Sequence, residues 1–226
     1  MLEKALAGWI SYANSLGRDY EVLLSEVDRT QPSSTLSELP TANNPHITVL
    51  PNPSQCGVGA ALKTGLAKAR YPLCLYADCN AGYEPTDIRL FLEAIDQVDL
   101  VAGFRESKSA RRWSFQRFLR SWLVRIFFGV RLKDVDCSFK LFRREILGRI
   151  PIQSNGAFAH AEIVAKANFL GCLMCEVPVS FARTEGAAAK AQNSSRYWAE
   201  ASQVFRFPDF GPAILPSQPA PVTRQG

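Results

Sequence analysis

The sequence has no apolar run close to the roughly 18–20 residues that span a bilayer, although 47% of its 226 residues are hydrophobic. Its first residues, MLEKALAGWISYANSLG, carry Glu3 and Lys4 and lack the uncharged core and cleavage site of a signal peptide. We therefore expect a cytoplasmic protein. Its length and composition suit one sizeable α/β domain with a real apolar core.

The sequence also lacks a disulfide framework and a complete zinc site. Cys172 and Cys175 form a C-x-x-C, but the surrounding segment LGCLMCEVPV is typical of a strand, in which these residues would point to opposite faces. No second Cys or His pair completes a metal site. We expect Cys172 and Cys175 to be buried core thiols. The six cysteines of the chain are Cys56, Cys74, Cys79, Cys137, Cys172 and Cys175.

Charge is unevenly distributed along the chain. Residues 104–149 hold 13 Lys and Arg and 4 Asp and Glu, a net charge of +9, so the remainder carries −4 of the total +5. A basic block of this kind predicts an anionic partner, which could be phosphate, nucleic acid or a membrane surface.

Apolar periodicity predicts strands that alternate with helices. The predicted helices are 2–16, 57–70, 84–95, 113–129 and 159–171, and the predicted strands are 20–27, 46–52, 71–78, 98–105 and 172–183. Segment 133–147 leads into a further helix. This alternation favours a mostly parallel sheet with helices on both faces. We expect one domain over residues 1–206 and a Pro-rich, disordered tail over 207–226.

Two predicted strands end in charged side chains. Asp78 follows the apolar run YPLCLYA, and Arg105 ends VDLVAGFR. In open α/β sheets, ligands bind beyond the carboxyl ends of the strands. Asp78-Cys79-Asn80 therefore predicts the rim of a metal and phosphate site, with a simple turn as the alternative.

The predicted helix at 113–128 is amphipathic in an unusual way. Its aromatic and aliphatic side chains share one face, and Arg117, Arg120 and Arg125 occupy the other. This composition is typical of a helix in a membrane interface, and the alternative is packing on its own domain. Nucleic-acid binding is disfavoured, because the aromatics do not interleave with the charges on a stacking platform.

Five segments in order resemble the inverting nucleotide-sugar glycosyltransferases of family 2, in the dolichyl- or polyprenyl-phosphate sugar synthase branch. They are NPSQCGVGAALKTGLAKAR, LYADCNAGYEPTDIRLFLEAI, DLVAGFR, DVDCSFKLFRREIL and AEIVAKANFLGCLMCEVPVSFARTEG. The resemblance implies a single GT-A-like domain that uses Mg²⁺ or Mn²⁺. It also implies a nucleotide-diphosphate sugar donor and a lipid-phosphate acceptor, with peripheral binding to the membrane through 113–128.

The resemblance carries site residues onto matching positions. Asp78 and Asn80 would hold the metal where the family has Asp-x-Asp. Asp136 and Arg105 would serve catalysis, and Asp134 and Asp136 belong to a segment that the family places near the acceptor. Donor binding would fall to Glu26, Asp28, Gly57, Gly59, Lys63, Asp78, Arg105, Arg111, Arg112, Glu162 and Arg183. The glycines could instead serve a tight helix entry, and Glu162 and Asp136 could be helix-start or ion-pair carboxylates.

The chain departs from the family pattern in three places. The sequence opens on the helix that would follow the family's first strand, so we expect that strand to be missing. The second motif, usually Val-Asp-Asp-Gly-Ser, appears as SEVDRT, and Asn80 replaces a carboxylate. The alternative hypothesis is therefore a diverged, non-catalytic relative that binds nucleotide sugars or membranes.

Overall fold

A computed structural model of the chain describes residues 2–25, 44–50, 57–79, 81–105, 115–181 and 194–210. In this part of the chain, strands alternate with helices, as predicted. The strands are β1 (Val22–Ser25), β2 (Ile47–Leu50), β3 (Leu73–Ala77), β4 (Leu100–Arg105), β5 (Phe139–Arg143) and β6 (Met174–Val179). The helices are α1 (Leu2–Ser15), α2 (Val58–Lys68), α3 (Ile88–Ala94), α4 (Phe115–Phe128), α5 (Arg144–Leu147), α6 (Ala159–Phe169) and α7 (Ser194–Arg206).

Local sequence explains where these helices begin and end. α1 buries Leu6 and Ile10 at helical spacing and gives way at Gly17, whose φ of 61° is the left-handed conformation that glycine tolerates. A 3₁₀ turn over Pro85–Asp87 leads into α3, with Pro85 in the first turn, where a missing N–H costs little.

The described strands form two sheets. β1 and β2 pair in parallel, and a four-stranded sheet has the order β3-β5-β4-β6. Three strands of the larger sheet run in the same direction, while β5 is antiparallel to both β3 and β4. The α/β class is confirmed, with this one reversed strand inside the sheet.

The segment that contains β5 was predicted to lead into a helix, and that prediction misses the strand. The structure gives five strand residues, FKLFR, followed by only one helical turn. Lys140 interrupts the apolar run, yet it is fully buried within the sheet. A charged residue in so short a run hides the pattern of a central strand.

Helices cover both faces of the four-stranded sheet, as predicted. On one face, Leu100 and Phe142 pack with Val124, Val164 and Tyr197 from α4, α6 and α7. The opposite face buries Val101, Phe139 and Leu141 against Phe91 and Ile95, with Trp9 and Tyr12 of α1 packed at its margin. Alternation along β4 and β5 therefore divides the core into two layers.

Helix α7, which was not predicted from the sequence, packs Tyr197, Ala201 and Val204 into the core. The following residues lie against the domain. Gln153 Nε2 donates to Phe207 O at 2.8 Å, and Asp209 N donates to Gln153 Oε1 at 2.9 Å. Residues 211–226 lie outside the described part, and the expected disordered tail over 207–226 stays a prediction.

Candidate active site

Three chain segments meet at one edge of the four-stranded sheet. β3 and β4 end there with Ala77 and Arg105, and β5 begins there with Phe139, because it runs in the opposite direction. The turn 134–138 leads into β5, and the backbone N–H of Asp78 donates to Ser138 O at 3.2 Å. Predicted site residues from three distant parts of the sequence thus converge.

Asp78 lies just past the end of β3, with an exposed side chain. Its carbonyl accepts from Ala81 N at 3.0 Å, which closes a turn, and Gly82 follows at a φ of 70°. Asn80 lies outside the described residues. Within the described residues, no group of three or more His, Cys, Asp and Glu is placed to hold a metal. One carboxylate fits an ion that is completed by water and substrate phosphates, as Mg²⁺ usually is.

Arg105 makes a two-pronged ion pair with Asp134. Its Nε donates to Oδ2 at 2.6 Å and its Nη2 to Oδ1 at 2.8 Å, with both side chains largely buried. Burial alone would raise the pKa of the Asp134 carboxyl, but the hydrogen bonds and charge of Arg105 hold that pKa below its usual value. The arginine predicted to bind diphosphate thus already holds a carboxylate.

Asp136 is held by side chains from two helices. Tyr197 Oη of α7 donates to Oδ1 at 3.0 Å, and Arg120 Nη1 of α4 lies 3.6 Å from Oδ2. The Arg120 guanidinium also lies over the Tyr197 ring, 4.2 Å from its centroid. Burial raises the pKa of Asp136 even though Arg120 opposes the shift. Asp136 was predicted from the sequence as a site residue, but its two partners, Arg120 and Tyr197, were not.

Lys140 stabilises the turn 134–138 through hydrogen bonds to its backbone carbonyl groups. Its Nζ donates to Val135 O at 3.1 Å and also to Cys137 O, and burial lowers the pKa of this amine. It also faces the Tyr76 ring, and the Tyr76 hydroxyl is hydrogen bonded to His160 Nδ1 at 2.9 Å. The sequence signal for Lys140 is a lone lysine between apolar residues, which indicates a buried cation only once the strand is known.

A family profile, Glycosyl transferase family 2, matches residues 14–151, more than half of the chain. The chain belongs to glycosyl transferase family 2. It is 26% identical over 191 residues to the polyprenol monophosphomannose synthase of Mycolicibacterium smegmatis, with 77% of this chain and 72% of that protein covered. It is also 26% identical over 173 residues to the undecaprenyl-phosphate mannosyltransferase of Micrococcus luteus, with 70% and 71% covered. These relatives match the branch that the sequence resembles.

Solved structures show the same fold. Glucosyl-3-phosphoglycerate synthase from Mycobacterium tuberculosis, in complex with phosphoglyceric acid, gives a TM-score of 0.62 at 18% identity, with 88% of this chain and 84% of that chain covered. The same enzyme with Mn²⁺, uridine diphosphate and glucosyl-3-phosphoglycerate gives a TM-score of 0.61, also at 18% identity, with 84% and 71% covered. The chain is thus a glycosyltransferase with a single GT-A-like α/β domain.

In this glycosyltransferase, the predicted donor-binding residues at the start of α2 contact another part of the same chain. The N–H groups of Gly59 and Ala60 donate to Asn155 O at 2.9 and 3.2 Å, and Lys63 Nζ donates to Asn155 Oδ1 at 2.6 Å. A Cβ at Gly57 would overlap Asn155 O, and one at Gly59 would overlap Ser154 O. Close backbone approach explains both glycines. We therefore leave Gly57 and Gly59 out of the proposed donor site.

The glycines of α2 provide a matched test of this contact. We expect Gly59→Ala to lower the free energy of unfolding by about 1–3 kcal/mol, because the new methyl group must displace the backbone at Ser154. Gly65→Ala on the same helix meets no atom within 4 Å and should raise that free energy by about 0.5–1 kcal/mol. Urea unfolding measures both. Equal effects of the two substitutions would contradict the close approach.

Glu162 has a structural partner set. Its carboxylate accepts from the backbone N–H groups of Gln153 at 2.7 Å and Ser154 at 2.9 Å, and it pairs with Lys166 Nζ at 2.8 Å. The side chain is fully buried. Glu162 therefore holds in place the loop that contacts α2. This is the structural, ion-pair role that was the alternative to donor binding, and we leave Glu162 out of the proposed donor site.

Several predicted donor-site residues lie outside the described part of the chain. They remain predictions and are Glu26, Asp28, Arg111, Arg112 and Arg183. The second predicted metal ligand, Asn80, has the same standing.

Helix α4 turns part of its predicted apolar face toward solvent. Trp122 is 48% exposed and Ile126 56% exposed, and Arg125 is exposed beside them. Arg120, assigned to the polar face, is instead buried with Val124. Within the described residues, no helix is both long and apolar enough to cross a bilayer. The exposed aromatic and basic face is the kind that interfacial helices present.

Proposed function

We propose that this glycosyltransferase moves a sugar, with inversion, from a nucleotide-diphosphate sugar to a lipid-phosphate acceptor at a membrane surface. The observation that carries the proposal is the meeting of Asp78 with the Asp134–Ser138 turn at one sheet edge. This contact supports a site in which Asp78 would hold the metal at the edge of the sheet where the turn that carries Asp136 leads into β5. The names of the two relatives, a polyprenol monophosphomannose synthase and an undecaprenyl-phosphate mannosyltransferase, support the acceptor class.

The donor needs its leaving diphosphate neutralised. A divalent ion, Mg²⁺ or Mn²⁺, would be held by Asp78, with Asn80 offering a neutral oxygen, and would polarise the diphosphate. Arg111 and Arg112 follow the paired Arg105 in sequence and could supply forked donors to phosphate oxygens. The Mn²⁺ in the neighbouring structure supports a divalent ion in this fold.

The acceptor requires positioning more than activation. A lipid phosphate is already anionic, so its oxygen can attack the anomeric carbon while the bond to the diphosphate breaks, and no proton has to be removed. Asp136 is clamped by Arg120 and Tyr197, so it is restrained in one orientation. We assign Asp136 to positioning the acceptor or a basic partner.

The membrane part of the proposal rests on α4. The exposed Trp122, Arg125 and Ile126 place aromatic, aliphatic and cationic groups together on one outward face. Such a face binds at the level of lipid headgroups without spanning the bilayer. The enzyme would then lie at the depth of the lipid headgroups, where the phosphate of a lipid-phosphate acceptor is also found.

A second candidate function is a non-catalytic relative that binds nucleotide sugars. Asn80 and the segment SEVDRT favour it, because each replaces a family acidic motif with a weaker one. Loss of one negative charge at the metal weakens binding by removing part of the ion's electrostatic attraction.

Calorimetry and a transfer assay separate these possibilities. We expect heat on titration of a UDP- or GDP-sugar in the presence of Mn²⁺, and Mn²⁺-dependent transfer of the labelled sugar to a polyprenyl phosphate in vesicles. Donor binding without transfer to any acceptor would favour the non-catalytic relative. Absence of heat with every donor would refute both functions.

A further inference from the structure

The C-terminal ends of α4, α6 and α7 carry an unusual set of exposed aromatic side chains. Phe207 is 74% exposed, Phe169 73% and Phe127 66%, the three highest values among the large hydrophobic residues of the described chain. Phe205 is 36% exposed beside them. Single exposed hydrophobic residues are ordinary, but a cluster marks an interaction site.

We call five side chains the aromatic patch: Phe127, Phe169, Phe205, Phe207 and Phe210. Four of them line one cavity, and the exposed Phe207 lies between Phe205 and Phe210 in the sequence. The Phe205 ring lies edge-on to Phe127 at 5.5 Å, and Phe169 stacks on Phe210 at 4.7 Å. Phe205 also stacks on Phe128 at 4.1 Å, which ties α7 to α4. Helix ends that are distant in sequence therefore share one surface.

A cavity of about 250 Å³ lies within the patch, with walls that include Phe127, Phe205, Phe210, Ala165 and Val204. The charged residues that line the cavity, Glu162 and Lys166, already have hydrogen-bond partners within the protein. Lys166 Nζ donates to Pro151 O at 2.5 Å and to Gln153 Oε1 at 2.9 Å, and pairs with Glu162 at 2.8 Å. The cavity thus offers no unsatisfied charge, and its chemistry suits a hydrocarbon occupant.

The charged side chains next to the aromatic patch indicate which kind of partner it binds. Arg125, Arg131 and Arg206 are exposed on or next to the ends of α4 and α7, and Asp209 is the exposed acid among the residues that follow α7. This surplus of cations would repel a second copy across a two-fold interface, because the same patch would face itself. It attracts an anionic lipid surface.

We propose that the aromatic patch inserts into an anionic bilayer and that its cavity takes a hydrocarbon chain from a bilayer lipid. The inference deepens the membrane part of the proposed function and rests on it. It adds α6, α7 and residues 207–210 to the single helix that the sequence indicated.

The same helices connect the patch to the site. Arg120 on α4 and Tyr197 on α7 hold Asp136, while Phe127 and Phe205 lie seven and eight residues further along those helices. At the helical rise, these separations are about 10–12 Å. Insertion of the patch would therefore set Asp136 at a fixed height above the bilayer, where a lipid-linked phosphate is presented.

Vesicle sedimentation tests the patch. The full chain should bind vesicles of phosphatidylcholine with phosphatidylglycerol, and less tightly vesicles of phosphatidylcholine alone. The double variant Phe169→Glu with Phe207→Glu should lose at least about tenfold in affinity, since two apolar anchors become anions. Leu90→Glu, on α3 with a 38% exposed side chain, is the matched control and should change affinity less than about twofold. Equal losses in the two variants, or no loss in either, overturn the proposal.

A cavity variant tests the hydrocarbon chain separately. Ala165 is buried in the cavity wall, so Ala165→Met should fill part of the space that the lipid chain would take. Vesicle affinity should fall roughly fourfold per displaced methylene, at about 0.8 kcal/mol each. Unchanged affinity in a variant with wild-type unfolding overturns the cavity assignment.

Two readouts separate failure of this inference from failure of the proposed function. Donor binding by calorimetry should be unchanged in Phe169→Glu with Phe207→Glu, because neither residue belongs to the proposed donor site. Wild-type protein that binds donor but no vesicle overturns the bilayer proposal and leaves the glycosyltransferase intact. Light scattering measures the oligomeric state. A wild-type dimer that the double variant converts to a monomer would also overturn the bilayer proposal.

Discussion

An Asp78→Ala variant is expected to lose at least about a hundredfold in Mn²⁺-dependent affinity for the nucleotide-sugar donor. Asp78 is the exposed carboxylate at the end of β3, and its predicted co-ligand Asn80 is neutral. A divalent ion needs carboxylate charge or phosphate oxygens to replace lost water, so removal of this carboxylate leaves the donor phosphates to hold the ion alone. A hundredfold loss corresponds to about 2.7 kcal/mol.

Calorimetry with donor and Mn²⁺, repeated after chelation of the metal, measures the effect. Asp96→Ala removes another exposed carboxylate, just past α3, and serves as the control for a general change in surface charge. We expect the control to bind as the wild type does. If Asp78→Ala retains full metal-dependent binding, Asp78 is a turn residue and not a metal ligand.

Asn80→Asp tests the same site in the opposite direction. It restores the Asp-x-Asp of the family, so Mn²⁺ should bind roughly tenfold more tightly, because a second charged oxygen replaces a neutral one. A gain that disappears when Asp78→Ala is added would show that both side chains hold one ion.

Much of the fold could be predicted because periodicity is a local property. α1 and α6 begin and end within a residue or two of the predicted limits, and β3 and β4 lie inside their predicted runs. Helix α7 was accessible by the same reasoning, since Tyr197, Ala201 and Val204 recur at helical spacing. β5 was not, because Lys140, its second residue, is acceptable inside the sheet only through the carbonyl groups that the fold brings to it.

Individual site residues could be predicted from the sequence, but the residues that they contact could not. Asp78 and Arg105 could be named because each ends an apolar run. That Arg105 pairs with Asp134, 29 residues away, depends on β5 lying next to β4. Likewise, α2 has a phosphate-like glycine entry in sequence, and only the approach of Asn155 shows that its amides are used internally.

Replacing Arg105 with methionine should lower the free energy of unfolding by about 3–5 kcal/mol near pH 7, because Asp134 would remain buried and charged without its partner. Adding Asp134→Asn should recover much of this loss, since the double variant holds no unpaired carboxylate, although Lys140 then loses a nearby charge. Urea unfolding of the wild type, both single variants and the double variant completes the cycle.

The pH dependence identifies the carboxylate responsible. In the wild type, Arg105 holds the pKa of Asp134 below its unfolded value, so the pair's stabilisation is present above about pH 4 and is lost as the pH falls through the lower, folded pKa. In Arg105→Met, the guanidinium no longer offsets burial, although the charge of Lys140 still opposes it, and we expect that pKa to rise above the unfolded value. The variant is then penalised as the pH rises through the raised pKa, so its deficit should narrow as the pH is lowered from about 7 towards 5. A deficit that does not depend on pH would instead point to lost packing against Phe181.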